Sequence, residues 1–137
     1  MKLYTLDASA WLRLFLHDGP VPESLGAVAA DADAGEAAFV APELILVEAA
    51  HALHRKRQRG VISDSELKAL WADMRRTPID LIRHWDRMDS ALALAGEHKL
   101  TVYDALYLAV ARHTGARLFS MDDDLAAAAR KCNLAAS

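Results

Sequence analysis

The segment LYTLDASAWLRLF, Leu3 to Phe15, is the stretch on which the fold turns. Leu3 to Leu6 is short and apolar, with β-branched Thr5, and suits a strand. Asp7-Ala-Ser9 has the chemistry of a helix N-cap and leads into Trp11, Leu12, Leu14 and Phe15 at helical spacing. A strand running directly into a helix is the repeating step of a parallel α/β sheet, so the rest of the chain is searched for more such steps.

They recur. Gly19-Pro20 and Pro22 break the first helix, and Glu23 to Asp33 reads as a second helix ended near Gly35. Ala38 to Ala41 reads as a short strand. Pro42 suits the first turn of a helix whose apolar face, Leu44, Ile45, Val47, Ala49, Ala52 and Leu53, runs to Gly60. Ser63-Asp-Ser-Glu66 has capping-box spacing ahead of Leu67, Leu70, Trp71 and Met74. Thr77-Pro78 stops that helix, Ile79 to Ile82 is a third strand, and helical spacing resumes from Trp85 to Gly96. Thr101 opens an apolar helix closed by Gly115. Arg117 to Ser120 reads as a strand and Asp122 to Lys131 as a final helix, while Cys132 to Ser137 carries no pattern. The expectation is one α/β domain over residues 1–137, a three-layer sandwich with a short, mainly parallel central sheet flanked by helices.

The bulk numbers agree with a globular domain: 137 residues, 53% hydrophobic and 26% charged. A chain of this length can bury a core without disulfides. The single cysteine, Cys132, cannot form an intramolecular bridge and is expected to pack. No secretory signal is read after Met1 and Lys2, and Ala105 to Ala111 falls far short of the ~20 apolar residues that span a bilayer, so a cytoplasmic protein is expected. Net charge is −3, the wrong sign for holding nucleic acid by phosphate neutralisation alone. Local patterning partly offsets this, with a basic block at His54, Arg55, Lys56, Arg57 and Arg59, and Arg75, Arg76, Arg83 and His84 beyond it. Such a block is more often only the solvated end of a helix beside a favourable C-terminal dipole. Trp11, Trp71 and Trp85 are expected in the core or at a dimer contact.

Of the nineteen acidic residues, four stand at informative positions. Asp7 ends the first strand, Asp122 follows the strand Arg117 to Ser120, and Asp104 lies in the first turn of its helix. Ligands of open α/β sheets bind beyond the carboxyl ends of strands, where these three could meet. Each is also explicable as capping: Asp7 as an N-cap, Thr101-Val-Tyr-Asp104 and Ser120-Met-Asp-Asp123 as capping boxes. Glu48 lies too deep in its helix for capping. It shares a face with Leu44, His51, Ala52 and Arg55, and an exposed pair with His51 or Arg55 is the alternative. Four converging carboxylates repel one another unless protons or a cation intervene, and oxygen donors without thiolate or imidazole suit Mg²⁺ or Mn²⁺. His51 and His54 lack HExxH spacing, which argues against zinc.

Four segments carry a resemblance to a known family. Leu6-Asp7-Ala-Ser9-Ala-Trp11, Pro42-Glu-Leu-Ile-Leu-Val-Glu48, Leu100-Thr-Val-Tyr-Asp104-Ala-Leu-Tyr-Leu-Ala109 and Leu118-Phe-Ser120-Met-Asp122 resemble, in order, the acidic motifs of the PIN-domain nucleases, and within them the VapC-type toxins. The third is the most specific, since ten consecutive positions fit. The resemblance implies a PIN-like sandwich and a Mg²⁺-dependent (or Mn²⁺-dependent) endoribonuclease toxin with Asp7, Glu48, Asp104 and Asp122 as catalytic and metal site. Asp122 would complete the charge or orient a water, and Ser9 and Ser120 would hydrogen-bond nearby. It further implies an RNA substrate, a homodimer and a cognate antitoxin that obstructs the acidic cleft. The short tail after Cys132 departs from the family, whose final strand would be missing or minimal here.

Two rivals belong to other classes. A non-catalytic PIN-like module would bind RNA or protein without cutting it. A receiver-like phospho-acceptor domain wants paired acids on the first strand and a Lys on the last, but Leu6 precedes Asp7 and Arg117 to Ser120 holds no Lys.

Overall fold

A computed structural model describes residues 1–16 and 18–136. β1 (Lys2–Leu6) leads into α1 (Ala8–Phe15), and α2 (Glu23–Asp33) precedes β2 (Ala37–Pro42). Then follow α3 (Leu44–Gln58), α4 (Asp64–Met74), β3 (Ile79–Ile82) and a 3-10 turn at Trp85–Arg87. α5 (Met88–His98), α6 (Val102–Thr114), β4 (Arg117–Phe119) and α7 (Asp123–Lys131) complete the order. The four strands are all parallel, in the order β3-β2-β1-β4, with Tyr4 opposite Phe39 on one side and Arg117 on the other. The expected sandwich is therefore what forms.

Alternation along the strands builds both faces of the sheet. Leu6, Phe39 and Phe119 pack with Leu25 and Val28 of α2 and Ala10 of α1, while Val40 faces Val110 of α6 on the other side. α6 is buried without interruption from Ala105 to Ala111, as befits a helix enclosed by a sheet and neighbouring helices. Trp11 is fully buried. Its ring meets Trp71 at 6.3 Å in a tilted arrangement, and its indole N–H donates to Thr77 Oγ1 at 3.0 Å. Trp85 is 84% exposed and so lies outside the core of the single chain.

Several boundaries differ from the sequence reading, each for a local reason. Pro42 ends β2 rather than opening α3, because its carbonyl side still lies in register with Ile82 of β3. α3 begins without a side-chain cap from Glu43; the imidazole of His84, from the turn after β3, accepts the Leu44 N–H at 2.8 Å. The segment from Trp85 splits into a 3-10 turn and α5, and α5 passes through Gly96 to end at Lys99, whose φ of 55° is left-handed. The expected Ser63–Glu66 capping box is present in both directions. The tail adds only a minimal parallel bridge, Leu118 to Ala135, and its last residue, Ser137, lies outside the described residues. Cys132 is half-buried, with its Sγ 3.3 Å from His98 Nε2.

One buried hydroxyl lacks a partner. Thr5 is 0% exposed, and its Oγ1 makes no hydrogen bond. An unpaired buried hydroxyl opposes folding, and valine has nearly the same shape. Thr5→Val should raise stability by about 1 kcal/mol in urea unfolding. A loss instead would mean that the hydroxyl is hydrogen-bonded in solution.

Candidate active site

The connections β1→β2→β3 move across the sheet in one direction and the chain then returns to place β4 on the far side of β1. The direction of winding reverses between β1 and β4, and a crevice opens outside the carboxyl ends of strands at such a point. Asp7 leaves β1 there, its N–H donating to Phe119 O at the end of β4 at 3.3 Å. α3 leaves the carboxyl end of β2. α6 runs counter to the strands and so presents its N-terminus, with Asp104, at the same edge. Asp122 lies just past β4.

Asp7 is the best-held of the four. It is only 5% exposed and caps α1, with Oδ1 accepting the Ala10 N–H at 2.9 Å and the Ser9 hydroxyl at 2.6 Å. Its Oδ2 accepts the Ser120 hydroxyl. Ser120 Oγ in turn accepts the Asp122 N–H at 2.9 Å, and Ser9 Oγ accepts the Met121 N–H at 3.0 Å. Two serines thus tie the end of β1 to the loop after β4. Burial pushes the Asp7 carboxyl above its usual range, the hydrogen bonds from Ser120, Ser9 and Ala10 oppose that, and Asp122 adds repulsion.

Capping and convergence, alternatives in the sequence, coexist at Asp7 and Asp122. Asp122 Oδ1 accepts the Leu125 N–H at 2.9 Å and caps α7, so the supposed Ser120–Asp123 capping box is not what forms: Ser120 faces Asp7 instead. At Asp104 the cap is Thr101, whose Oγ1 accepts the Asp104 N–H at 3.1 Å, leaving the Asp104 carboxylate free of that duty. Burial raises the Asp104 carboxyl to about 6, with further repulsion from Asp122, Asp7 and Glu48 in that order. Asp104 is therefore within electrostatic reach of the other three acids.

Glu48 does not make the surface pair that was its alternative. Its Oε1 accepts the hydroxyl of Tyr107 at 2.5 Å, and burial with some repulsion from Asp7 pushes its carboxyl upward. Tyr107 is 1% exposed, and burial with this bond drives its hydroxyl further from ionising. Sequence reasoning passed over Tyr107 as one more apolar position of α6. The available signal was its offset of three from Asp104, which puts both on one face.

The donor set, carboxylate oxygens with hydroxyls behind them, fits a hard divalent cation, and the mutual repulsion is what such an ion relieves. Among the described residues, no three acidic, histidine or cysteine side chains stand close enough to enclose an ion as placed. Without a cation, the raised carboxyls hold protons that the unfolded chain would release. Stability contributed at low pH should then be lost as pH rises from the ordinary carboxylate range through about 6. In EDTA the melting temperature should fall between about pH 4 and pH 6, and Asp104→Asn should flatten that fall. A profile identical in the variant would show that Asp104 does not feel its neighbours.

Comparison with known proteins agrees with this geometry. The PIN domain model matches residues 4–131. Ribonuclease VapC3 of Pyrobaculum aerophilum is 32% identical over 130 residues, covering 92% of this chain and 93% of the relative. Among solved structures, PAE2754 of the same organism superposes with a TM-score of 0.69 at 24% identity, covering 93% of this chain and 86% of that one. Mycobacterium tuberculosis VapC20, described as a Sarcin-Ricin loop cleaving toxin, gives 0.65 at 20% identity, covering 93% and 95%. A toxin-antitoxin complex from Klebsiella pneumoniae gives 0.57 at 18%, covering 90% of each chain. At those identities the superpositions speak to the fold. Acidic side chains gathered at the reversal of a parallel sheet, a family model spanning nearly the whole chain and a ribonuclease relative along its length together place this protein in the PIN-domain family.

Proposed function

We propose that this chain is a divalent-metal-dependent endoribonuclease of the VapC toxin type, active in the cytoplasm and neutralised by a cognate antitoxin. The observation that carries the reading is the placement of Asp7, Glu48, Asp104 and Asp122 at the carboxyl edge of a PIN fold, where burial raises the first three carboxyls and Asp104 feels the other three acids. Kinship to Ribonuclease VapC3 supports RNA as substrate, and the toxin-antitoxin neighbour fits an inhibitory protein partner. A homodimer belongs to the same reading.

Asp7, Glu48 and Asp104 would hold Mg²⁺ or Mn²⁺, with Asp122 completing the charge or orienting a water. When bound, the ion supplies polarisation of a phosphoryl oxygen and a lowered pKa for water. The chain's part is to fix its carboxylates in advance. Ser9 and Ser120 hold both oxygens of Asp7, and Tyr107 holds Glu48, so little side-chain freedom at these two remains to be lost when substrate arrives. Asp104 must shed its proton to take part, so protons compete with the cation and apparent metal affinity should weaken as pH falls through about 6.

The purified chain should cut RNA with Mg²⁺ or Mn²⁺ and stop in EDTA, and Asp104→Asn should lower the rate by about 100-fold or more. Metal-linked stabilisation with no cleavage of any RNA would favour the non-catalytic PIN-like module. Tyr107→Phe, which frees Glu48 while keeping the ring, should weaken metal affinity or turnover by roughly 10- to 100-fold, read from a metal titration of the initial rate. Unaltered metal dependence would reduce Tyr107 to packing.

A further inference from the structure

The active-site edge is acidic and the chain carries net charge −3, so an RNA approaching it needs a positive path from elsewhere. α3 and its C-cap Arg59 bear six basic or imidazole side chains from His51 to Arg59, and the tertiary structure sorts them. Lys56 is paired with Asp18 at 3.3 Å. Arg57 is paired with Asp64 at 2.8 Å and lies 2.8 Å from His54 Nδ1. Those three side chains serve to tie α3 to its surroundings. His51, Arg55 and Arg59 are exposed, and among the described residues neither arginine forms an ion pair.

These remaining three are spaced for one task. From Glu48 the intervals are three, four and four residues, which keeps His51, Arg55 and Arg59 on one helical face. At 1.5 Å per residue the row leads about 16 Å away from the Glu48 carboxylate. Acidic neighbours on the packed elements do not cancel it: Asp64 of α4 is already held by Arg57 and Lys68, and Glu43 lies at the opposite, N-terminal end of the helix.

We propose that the exposed face of α3 formed by His51, Arg55 and Arg59 is a track for the backbone of a single-stranded RNA segment, leading from the carboxylates at Glu48. This rests on the ribonuclease reading and deepens it by naming the surface that carries the substrate. A single row of charges matches one phosphate backbone rather than the two of a duplex. The competing explanation, arginines placed near a helix C-terminus for its dipole, predicts an effect on stability and none on RNA.

The full-length chain carrying Asp104→Asn, kept in EDTA so that the RNA stays intact, is titrated with a fluorescein-labelled single-stranded oligoribonucleotide of mixed sequence over a range of salt concentrations. Adding Arg55→Gln and Arg59→Gln should weaken binding by about tenfold near 0.1 M salt and reduce the slope of log Kd against log salt by about 1.4, the value for two lost single-strand phosphate contacts. Lys56→Gln, which removes a paired cation, should leave the slope unchanged. An unchanged slope in the double variant, an equal loss in Lys56→Gln, or no binding before substitution would overturn the track. Binding of an acidic peptide that depends on Arg55 and Arg59 while RNA binding does not would assign the face to a protein partner and overturn it too. Metal-dependent cleavage with undiminished RNA affinity in the double variant refutes the track alone. Arginine-dependent binding by a wild-type chain that never cuts RNA refutes the nuclease reading alone.

Discussion

A carboxylate buried at the end of a central parallel strand is held there by groups from both ends of the chain, and much of the site is arranged around it. Asp7 starts α1, receives hydroxyls from Ser9 and Ser120, and through Ser120 fixes the backbone of Asp122. Those bonds offset part of the burial that would otherwise protonate it. Because the Asp7 N–H also joins the end of β4, position in the sheet and orientation of the acid are set together. A displacement of β4 would disturb charge, cap and strand pairing at once.

α6 links the same site to the core. Its body is enclosed from Ala105 to Ala111, so its first turn has little freedom to move, and that turn carries Asp104. One turn further in, Tyr107 reaches across to Glu48 on α3, adding a polar tie between two helices that share the hydrophobic core. The start of α3 is in turn capped by His84 from the exit of β3. Elements following three strands are thus fastened to one another around the acids, which suits a site whose like charges push its parts asunder.

The course of the elements was legible because local signals agreed with the tertiary outcome: Asp7 is both cap and strand end, Ser63 to Glu66 forms a reciprocal cap, and Gly115 closes α6. Pro42 and Gly96 misled because pairing with β3 and continuation of a packed helix are decided by neighbours distant in sequence. The positions of the four acids along the strands and helices could be read from the sequence, but the groups that hold them could not. Ser120 as donor to Asp7 joins residues 113 apart, and Tyr107 to Glu48 joins residues 59 apart.

The order of hydrophobic, capping and acidic residues by itself determined a parallel α/β chain with four carboxylates near strand and helix ends, since periodicity and caps act over a few residues. Only the tertiary structure decided that those carboxylates feel one another, which hydroxyl holds which oxygen, and which basic side chains of α3 are spent on ion pairs. Desolvation, repulsion and pairing depend on distances through space, and those exist only once the sheet has brought β1 beside β4 and α6 against α3.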